Sequence, residues 1–565
     1  MMKKTLCLFL ALILICFTGC TTTGGSGSSQ SETVNGSEGH VHEYSLVKPK
    51  SPTCTEKGNS IYYTCSCGKI FAKKGAIYVE TTLDAVTLKM KGHNYEAERI
   101  SDEYFVSEAT ETTPQVFAKS CVSCGKKSEN DTFTYGKTLK EYEEADVALY
   151  QPNCFTMSLY DAANCVYGFT WNTDAEPARP ILKIKDKTSG EEKIVRADFV
   201  AADSLKTENG ADTAIKYYSC KAKITLEPDS EYIYSVGDNY LNAFTETTEI
   251  KTVNPSETGS WRFIHVSDSQ SEGNVKDGGI GTGRDFSRVL SNVSALSDVR
   301  FMVHTGDVVE YSKYQSYWEN MLNDNFKYLS KLPVMVISGN HETTYKCGKN
   351  ETFNRFYYNI PKQETDLGFY YSFSYGNVKF VMLNTNRLNG TKLTDDQYLW
   401  IENELKNKTE KWTVVAMHNP MYSVGKWGSD SGKNTIALSL ANQLNELFVR
   451  NKVDVVLQGH DHMISRTHPL GADGKATNEN IEKIGDIQYI KDPAGVIYVM
   501  NGPAGDQARS EVYKHDDSLY AYARVSQTSS WAEFVVGGET LTVTVKTANS
   551  GEANDIISWG IKKSA

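Results

Sequence analysis

Residues 300–311 read RFMVHTGDVVEY, a stretch in which an apolar run ends abruptly at a glycine and an aspartate. The same change from β-branched, apolar residues to a short polar turn occurs in PVMVISGNHE at 333–342 and in DVVLQGHDH at 454–462. Apolar runs without alternation are typical of buried parallel strands. Because parallel strands deliver the loops that follow them to one edge of a sheet, the sequence predicts that these polar turns meet there.

Five polar turns of this kind follow one another in the second half of the chain. In order, they are HVSDSQ (265–270), GDVVEY (306–311), GNHE (339–342), VAMH (415–418) and GHDH (459–462). Their oxygen and nitrogen donors are the predicted metal ligands: Asp268, Gln270, Asp307, Asn340, His418, His460 and His462. Donors of these types suit Fe, Mn or Zn rather than metals that prefer thiolates.

The chemistry that such a ligand set indicates is hydrolysis. A carboxylate can bridge two cations, and Asp307 is the predicted bridge. Two ions about 3.5 to 4 Å apart convert water to hydroxide at neutral pH and clamp the attacking and leaving oxygens of an in-line displacement at phosphorus. The predicted substrate is therefore a phosphate ester.

These motifs resemble the calcineurin-like metallophosphoesterase superfamily, whose pattern runs Asp-x-His, Gly-Asp-x-x-Asp, Gly-Asn-His-Asp/Glu, a lone His and Gly-His-x-His. The resemblance covers about residues 257–550 and implies a four-layer α/β sandwich, with two mixed sheets flanked by helices. It implies a first ion on Asp268, Asp307 and His462. It implies a second ion held by Asp307 and by three further residues: Asn340, His418 and His460.

The resemblance also gives His341 a catalytic role, as proton donor or phosphate contact, with Glu342 orienting its imidazole. The chain departs from the family at Gln270, where a histidine is usual, because an amide can coordinate only through its carbonyl oxygen. The purple acid phosphatase branch has a tyrosine three residues after the bridging aspartate, a position that holds Glu310 here. Tyr311 is adjacent, but a slip of one residue points a side chain the other way, so no tyrosinate–iron colour is expected.

Residues 139–256, upstream of this region, read as short alternating strands, which predicts a β-sandwich. Within it, LEPDSEYIYSVGD at 226–238 resembles the end of the fibronectin III-like N-terminal domain of purple acid phosphatases. A generic sandwich of the kind common on surface proteins is the alternative. The catalytic domain is predicted to end near residue 550, followed by a tail at 551–565.

A loose internal repeat occupies residues 39–88 and 89–138, and each copy ends in a cysteine pair followed by Gly and Lys. This pattern predicts two small zinc-ribbon-like units. The first copy offers a complete donor set, which consists of His42, Cys54, Cys65 and Cys67. The second copy offers three donors: His93, Cys121 and Cys124. Disulfides or thiols are the alternative, and contact with a cell-envelope polymer is a further hypothesis for these repeats.

The N-terminus predicts export. A basic start and an apolar run at residues 1–19 are typical of a signal peptide, and FTGC at 17–20 resembles a bacterial lipobox. Cleavage would leave Cys20 lipidated, followed at 20–38 by a Gly/Ser/Thr-rich tether that is expected to be disordered. The expected location is outside the cytoplasm on a membrane anchor, and full secretion is the alternative.

The composition limits the classes of partner that are expected for this protein. A formal net charge of −11 without a clustered Lys/Arg stripe argues against a nucleic acid read by sequence. The predicted activity is hydrolysis of phosphomonoesters, and a phosphodiesterase or nucleotidase with the same metal site is the alternative. A surface-displayed binding protein with a non-catalytic esterase fold is the alternative from another class. Retention of the bridging aspartate and of both GHDH histidines favours the enzyme.

Overall fold

A computed structural model describes most of the chain from residue 41 onward. The described residues are 41–202, 216–270, 284–343, 357–361, 370–428, 435–505, 511–513, 515–525, 528–548 and 553–564. The predicted signal peptide, tether and lipidation site at Cys20 lie outside them. Within these ranges, no helix combines the length and apolar character needed to cross a membrane. The chain divides into two compact units, residues 1–99 with 118–132 and residues 100–117 with 133–565.

The first unit is small and built on an antiparallel sheet. Its strands, in spatial order, are Ser45–Val47, Tyr62–Thr64, Ile70–Lys74 and Ile77–Thr81. A second strand pair joins Gly58–Asn59 to Thr87–Leu88, and the short helix Leu83–Val86 begins after Thr82, whose hydroxyl accepts a hydrogen bond from Ala85. Tyr44 stacks on Tyr78 with ring centroids 3.8 Å apart, which closes one face of the sheet.

Three strands and three short helical turns connect this region to the next. Their bounds are Phe105–Ser107, Gln115–Ser120 and Lys127–Tyr135 for the strands, and Asp102–Tyr104, Leu139–Tyr142 and Val147–Tyr150 for the turns. At Leu139–Tyr142 the side chain of Thr138 accepts from the Glu141 N–H, and the Glu141 carboxylate accepts from the Thr138 N–H. This reciprocal cap satisfies two amide groups that the helix itself leaves without partners.

Two antiparallel sheets follow, as the alternating pattern predicts. One contains Asn153–Asp161, Val166–Thr173, Tyr218–Thr225 and Asp198–Ala201 in that order, and the turn Ala162–Asn164 joins its first two strands. The other contains Glu192–Arg196, Pro180–Asp186, Glu231–Asp238 and Ala243–Phe244, with Thr248–Lys251 also paired to Glu231–Asp238. Phe169 and Tyr234, one from each sheet, meet at 5.1 Å between ring centroids, so the sheets share a core.

The remaining residues form two mixed sheets. The first has the strand order Val334–Val336, Val299–His304, Trp261–Val266, Ser530–Val536, Thr540–Ala548, Ala553–Lys562, Ile487–Lys491 and Ile481–Ile484. The second has the order Tyr371–Tyr375, Val378–Met382, Trp412–Ala416, Val455–Gln458, Ile497–Asn501, Met463–Thr467 and Tyr520–Val525. A small pair, Leu388–Asn389 with Lys392–Leu393, lies outside both sheets.

The two mixed sheets pack face to face. Phe263 and Phe301 of the first sheet contact Phe380 of the second, at 5.1 and 5.3 Å between ring centroids. Along the strand Trp412–Ala416, Val414 faces this shared core and Val415 faces the opposite side, as period-two alternation requires. Both faces of the second sheet are therefore buried, which explains why its parallel strands read as continuous apolar runs.

Helices cover the outer faces of the sheets. The described helices of this region are Arg284–Ser294, Gln315–Asn323, Phe326–Leu329, Asn340–Thr343, Asp395–Lys406 and Thr435–Arg450, with a 3₁₀ turn at Asp517–Leu519. In Thr435–Arg450, helical spacing puts Leu440, Leu444 and Leu447 on one face against the second sheet. Burial stabilises each such side chain by about 1.5–3 kcal/mol. The resulting layers agree with the predicted α/β sandwich.

The preceding β domain packs against the mixed-sheet domain through polar as well as apolar contacts. The Cys154 N–H donates to Asn323 Oδ1 at 2.7 Å, and the Tyr234 hydroxyl donates to the Ser330 carbonyl at 2.6 Å. The ring of Phe155, in the β domain, packs edge-on against that of Phe326 at 5.5 Å between ring centroids. Because these contacts are buried, the β domain supports the helices that follow the strands of the first sheet.

Candidate metal centre

Parallel pairing brings the predicted ligand loops to the edges of the two sheets. Trp261–Val266, Val299–His304 and Val334–Val336 are parallel neighbours in the first sheet, and each ends immediately before a polar signature. Trp412–Ala416 and Val455–Gln458 are parallel neighbours in the second sheet and precede the signatures that contain His418 and His460. The side chains that the motifs predict as ligands therefore converge.

The backbone of these loops is strained. Asp307 and four other predicted ligands have left-handed φ angles, between 37° and 75°, although none is a glycine: Asp268, Gln270, His460 and His462. Conformations of this kind cost about 1–3 kcal/mol each and persist only where the surrounding structure imposes them. Placing these side chains therefore lowers the stability of the fold, which is typical of a functional site.

Two glycines of the motifs are required by close approach. A Cβ on Gly339 would lie 2.1 Å from Asp307 Oδ1, and a Cβ on Gly459 would lie 2.2 Å from Ser267 Oγ and 3.1 Å from Asp268 Oδ2. Any larger residue would push these carboxylates out of place. The glycines of GNHE and GHDH therefore let one ligand loop lie directly against the next.

Asp307 occupies the middle of the cluster. Its Oδ2 lies 3.2 Å from His418 Nε2, and its Oδ1 accepts the N–H of His341 at 2.9 Å. Ligand atoms of Asp307, His418 and His460 all lie within 4.8 Å of one another. His418 Nδ1 lies 2.8 Å from the carbonyl oxygen of Thr305, so that an N–H there directs Nε2 toward Asp307. A backbone partner on the far nitrogen is the usual way of orienting a metal-binding histidine.

Asp268 forms a second pair with His462. Asp268 Oδ1 lies 3.3 Å from His462 Nε2, and both carboxylate oxygens accept the N–H of His460 at 3.0 and 2.9 Å. Asn340 Oδ1 lies 3.0 Å from His418 Nε2. These two linked pairs therefore bring six of the seven predicted ligands into one region. The seventh predicted ligand is Gln270.

The charges of the cluster suit a cation. Burial acts to raise the pKa of Asp268, but the adjacent His462 outweighs it and lowers that pKa to about 2. Burial likewise opposes the fall in the pKa of Asp307, which the neighbouring His418 and His341 produce. Both carboxylates are ionised at neutral pH. Burial and the charge of His418 lower the pKa of His460 to about 3, which leaves a neutral imidazole able to coordinate.

His418 shows the opposite behaviour. Burial alone would lower its pKa, but the carboxylate of Asp307 outweighs this effect and raises the pKa to about 9. A proton therefore compensates part of the negative charge at this position. Because only the neutral ring coordinates, a cation that binds here would displace that proton.

Gln270 has an amide oxygen that fits a ligand role. Its Oε1 is buried and accepts no hydrogen bond from any described residue. Its Nε2 lies 3.2 Å from Glu310 Oε2 and 3.1 Å from His341 Nε2. A buried carbonyl oxygen without a partner costs about 1–3 kcal/mol, and a bound cation would remove that cost. The residues present thus fit a metal centre.

His341 lies beside the cluster, as the resemblance implies. Its Nε2 is 3.6 Å from Asp307 Oδ2, and its Nδ1 is 2.7 Å from the carbonyl oxygen of Glu310. The prediction that Glu342 orients this imidazole is wrong. The Glu342 carboxylate instead accepts the N–H groups of Asp307, Val308 and Gly339 at 2.8 to 2.9 Å. It fixes the backbone of the bridging loop rather than the histidine ring.

The two residues after GDVV point to different surroundings. The Glu310 carboxylate faces the site through Gln270 and His341, whereas the ring of Tyr311 lies 5.8 Å from that of Tyr314. His265 and His304, on two strands of the first sheet, contact neighbouring polar side chains. His265 Nε2 lies 3.0 Å from Thr305 Oγ1, and His304 Nε2 lies 2.9 Å from Ser269 Oγ.

Asp461, the residue between the two histidines of GHDH, has a role that the motif itself does not indicate. Its Oδ2 accepts the hydroxyl of Ser423 at 2.6 Å and the N–H of Trp427 at 3.0 Å. The ring of Trp427 lies 5.7 Å from that of His460. Asp461 therefore fixes the 421–427 loop beside a predicted ligand.

The cysteines of the repeats group differently from the prediction. His42 Nδ1 lies 3.4 Å from both Cys65 Sγ and Cys67 Sγ, but Cys54 is not part of this group. Cys54 instead lies with the three donors of the second copy: His93, Cys121 and Cys124. The predicted set of His42, Cys54, Cys65 and Cys67 is therefore wrong in its fourth member, because the loop with Cys54 folds against the second repeat.

Comparison with known proteins identifies the metal-centre domain. Residues 262–463 match the family model of the calcineurin-like phosphoesterases. Purple acid phosphatase 15 of Arabidopsis thaliana is 24% identical over 312 residues, which cover 52% of this chain and 54% of that protein. The probable inactive purple acid phosphatase 24 of the same plant is 26% identical over 310 residues, covering 50% of this chain and 47% of that protein. The chain thus spans about half the length of these relatives.

Solved structures agree on the fold. The purple acid phosphatase PPD1 from yellow lupin seeds superposes with a TM-score of 0.62 at 18% identity, covering 80% of each chain. A structure of PhoD superposes with a TM-score of 0.51 at 13% identity and covers 73% of this chain and 91% of that one. With the family match, residues 262–463 are a calcineurin-like phosphoesterase domain, and purple acid phosphatases are among the proteins that this part of the chain resembles.

Proposed function

We propose that this chain is an extracytoplasmic di-metal phosphoesterase that hydrolyses phosphomonoesters. The observation that carries the proposal is the convergence of two buried carboxylates, Asp268 and Asp307, with three imidazoles, all from four separate loops. A first ion would be held by Asp268, Asp307 and His462 with the amide oxygen of Gln270. A second would be held by Asp307 with Asn340, His418 and His460. Nitrogen and oxygen donors of this kind suit Fe, Mn or Zn.

The two ions supply an activated water and positive charge that offsets the negative charge of the transition state. The side chains of the protein position the ester at the centre. His341 lies within 3.6 Å of Asp307, so its imidazole can contact a phosphate oxygen or the leaving oxygen of an ester at the centre. Trp427 and the loop fixed by Asp461 lie beside His460 and would limit which esters can approach.

Metal analysis and a phosphoester panel on one preparation test the proposal. We expect two transition-metal ions per chain at the centre and turnover of an aryl phosphate monoester. Asp307→Asn should lose that turnover, because a neutral amide cannot serve as an anionic bridge. Asp473→Asn is the matched control, since it makes the same change at an exposed carboxylate. Turnover retained in Asp307→Asn, or lost equally in both variants, would contradict the proposal.

Two alternatives are separated by the same panel. A phosphodiesterase or nucleotidase would use the same ligands but prefer a bis-aryl phosphate or a nucleotide over the monoester. A surface-displayed binding protein with a non-catalytic esterase fold would turn over none of them. The retained bridging aspartate and the retained GHDH histidines favour catalysis, since a scaffold without activity has no need of strained ligand loops.

The location and the accessory domains complete the proposal. Cys20 would be lipidated after signal cleavage, so that the enzyme hangs from the membrane on its Gly/Ser/Thr tether. The two antiparallel sheets at 139–256 would be a fibronectin III-like domain, and the repeats would be zinc-ribbon-like modules that contact the cell envelope. Cys20→Ala should move the protein from the membrane fraction of the producing bacterium to the soluble exported fraction. An unchanged distribution would contradict the lipid anchor.

A further inference from the structure

Four potential metal donors lie together in the first unit, although they come from distant points of the chain. Cys54 Sγ lies 3.7 Å from Cys121 Sγ, and His93 Nδ1 lies 3.3 Å from Cys124 Sγ. One ligand atom from each of the four residues lies within 4.8 Å of those from the other three. Cys54 and Cys121 are buried, with 6% and 0% of their surface exposed. These two sulfurs thus face one another in the interior, whereas Cys124 is exposed and closes the cluster from the surface.

Backbone hydrogen bonds shape the turn that carries Cys121 and Cys124. The Cys121 N–H donates to the Lys126 carbonyl and the Gly125 N–H donates to the Cys121 carbonyl, each at 2.9 Å. Gly125 has a φ of 75°, so the chain reverses directly after Cys124. A turn of this form presents both sulfurs of a Cys-x-x-Cys pair to the same point, as in structural zinc sites.

Hydrogen bonds also carry Cys54 to the second repeat. The N–H of Gly92 donates to the Cys54 carbonyl at 3.1 Å, and the N–H of Val122 donates to the Asn94 carbonyl at 2.9 Å. The segment around His93 is therefore bonded on one side to the loop of the first repeat and on the other to the cysteine turn of the second. All three pieces meet at the donor cluster.

The distances favour a shared cation over a disulfide. In a tetrahedral zinc site with Zn–S bonds of about 2.3 Å, two sulfurs lie about 3.8 Å apart. The observed separation of 3.7 Å between Cys54 and Cys121 agrees with that geometry, whereas bonded sulfurs lie about 2.04 Å apart. A disulfide would also leave an imidazole and a third thiol packed against it without a role. Three sulfurs and one imidazole form a complete tetrahedral set.

We propose that Cys54, His93, Cys121 and Cys124 form a closed structural zinc site that ties the two repeats into one unit. The first unit needs such a link, because few apolar side chains are buried within its described part. Beyond its cysteines these are Phe71, Val86 and Ala118. Domains with so small a core usually depend on a metal or on disulfides. His42, Cys65 and Cys67 form a separate set of three donors, in which Cys67 is exposed.

Cobalt substitution of the purified full chain tests the site with a signal that the catalytic centre cannot give. Cobalt bound to thiolates absorbs in the near ultraviolet, and the predicted catalytic ligands include no sulfur. We expect this absorption in the wild type. Cys54→Ser should reduce it and should weaken metal retention against a chelator by roughly tenfold or more, since even loss of an outer partner costs that much. Cys67→Ser, the matched change in the other set, should leave retention at this site unchanged.

A second variant covers the case in which Cys54→Ser does not fold. His93→Cys keeps four donors, so it should retain the metal and increase the thiolate absorption. The proposal is overturned if non-reducing peptide mapping finds a Cys54–Cys121 disulfide, or if the wild type binds cobalt without thiolate absorption. It is equally overturned if Cys54→Ser has no effect on metal retention while Cys67→Ser weakens metal retention by the amount expected for Cys54→Ser.

Discussion

The two donor clusters of this chain use similar side chains on different supports. Around Asp307, the donors follow the ends of parallel strands, and their loops are fixed by sheet pairing and by Glu342. Around Cys54, the donors lie on short loops, two of them in the turn between Gln115–Ser120 and Lys127–Tyr135, with little apolar burial. The first cluster therefore has a framework that stands without the cation, whereas the second relies on the cation for much of its order.

This difference predicts opposite responses to metal removal, and the effect is the largest expected. Exhaustive chelation should abolish phosphoester turnover while the mixed sheets stay folded, because their core does not involve the ligands. The first unit should instead lose its fold, since zinc binding and folding are coupled in such small units. Hydrogen exchange on the apo protein measures both regions at once. Full protection of the repeats in the apo protein would contradict the proposed difference between the two clusters.

Glu342→Gln should destabilise the bridging loop. The buried carboxylate accepts hydrogen bonds from three backbone N–H groups. The amide of glutamine can accept only some of these hydrogen bonds, and it adds N–H donors that have no acceptor there. We expect the free energy of unfolding to fall by about 3 kcal/mol and turnover to fall with it. Denaturant unfolding measures the change. Glu533→Gln makes the same change at another buried carboxylate, so it serves as the control and should leave turnover intact.

Substitution of Gln270 sharpens the assignment of the first ion. Gln270→Leu removes the buried amide oxygen and should weaken metal retention at that ion by roughly tenfold, while Gln270→His should strengthen it. Metal titration followed by calorimetry gives the affinities. If both variants retain metal as the wild type does, Gln270 is a packing residue. The position that holds a histidine in the family then does not bind metal in this chain.

The smallest effect concerns acid stability. Burial, with a contribution from His304, lowers the pKa of His265 to about 3, from about 6.5 in the unfolded chain. The folded state therefore binds fewer protons, and its stability is complete above pH 6.5 and declines as the pH falls toward 3. Between pH 6.5 and 5.5 the loss from this group is about 1 kcal/mol. Comparison of the wild type with His265→Gln by denaturant unfolding at both pH values should show a smaller decline in the variant.

Most of the mixed-sheet domain could be predicted because apolar strand runs and ligand motifs are both local patterns. The predicted tail at 551–565 is wrong, since it contains Ala553–Lys562, a strand of the first sheet. GDVVEY and GNHE predict that Asp307 and Asn340 follow buried strands, and the described strands end where the motifs begin. Left-handed backbone at Asp268 or His462 leaves no such pattern, since any residue type can be forced into it by its surroundings. The acceptor role of Glu342 was missed for a related reason, because its partners are backbone groups that carry no sequence signal.

The repeats were harder because their contacts are long-range. Cys54 and Cys121 are 67 residues apart, and no strand pattern connects the two positions. Counting donors within each copy assigned Cys54 to His42, whereas the fold assigns it to His93. The missing fourth donor of the second copy was the available signal, since an incomplete set can be completed from a neighbouring repeat.

Anomalous diffraction at the metal absorption edges, from crystals of the metal-loaded protein, would show whether Asp307 lies between two cations. We expect two peaks about 3.5 to 4 Å apart on either side of Asp307. One of them should lie beside Asp268 and His462, and the other beside His418 and His460. A single peak, or peaks that do not flank Asp307, would contradict the di-metal centre on which the proposed function depends.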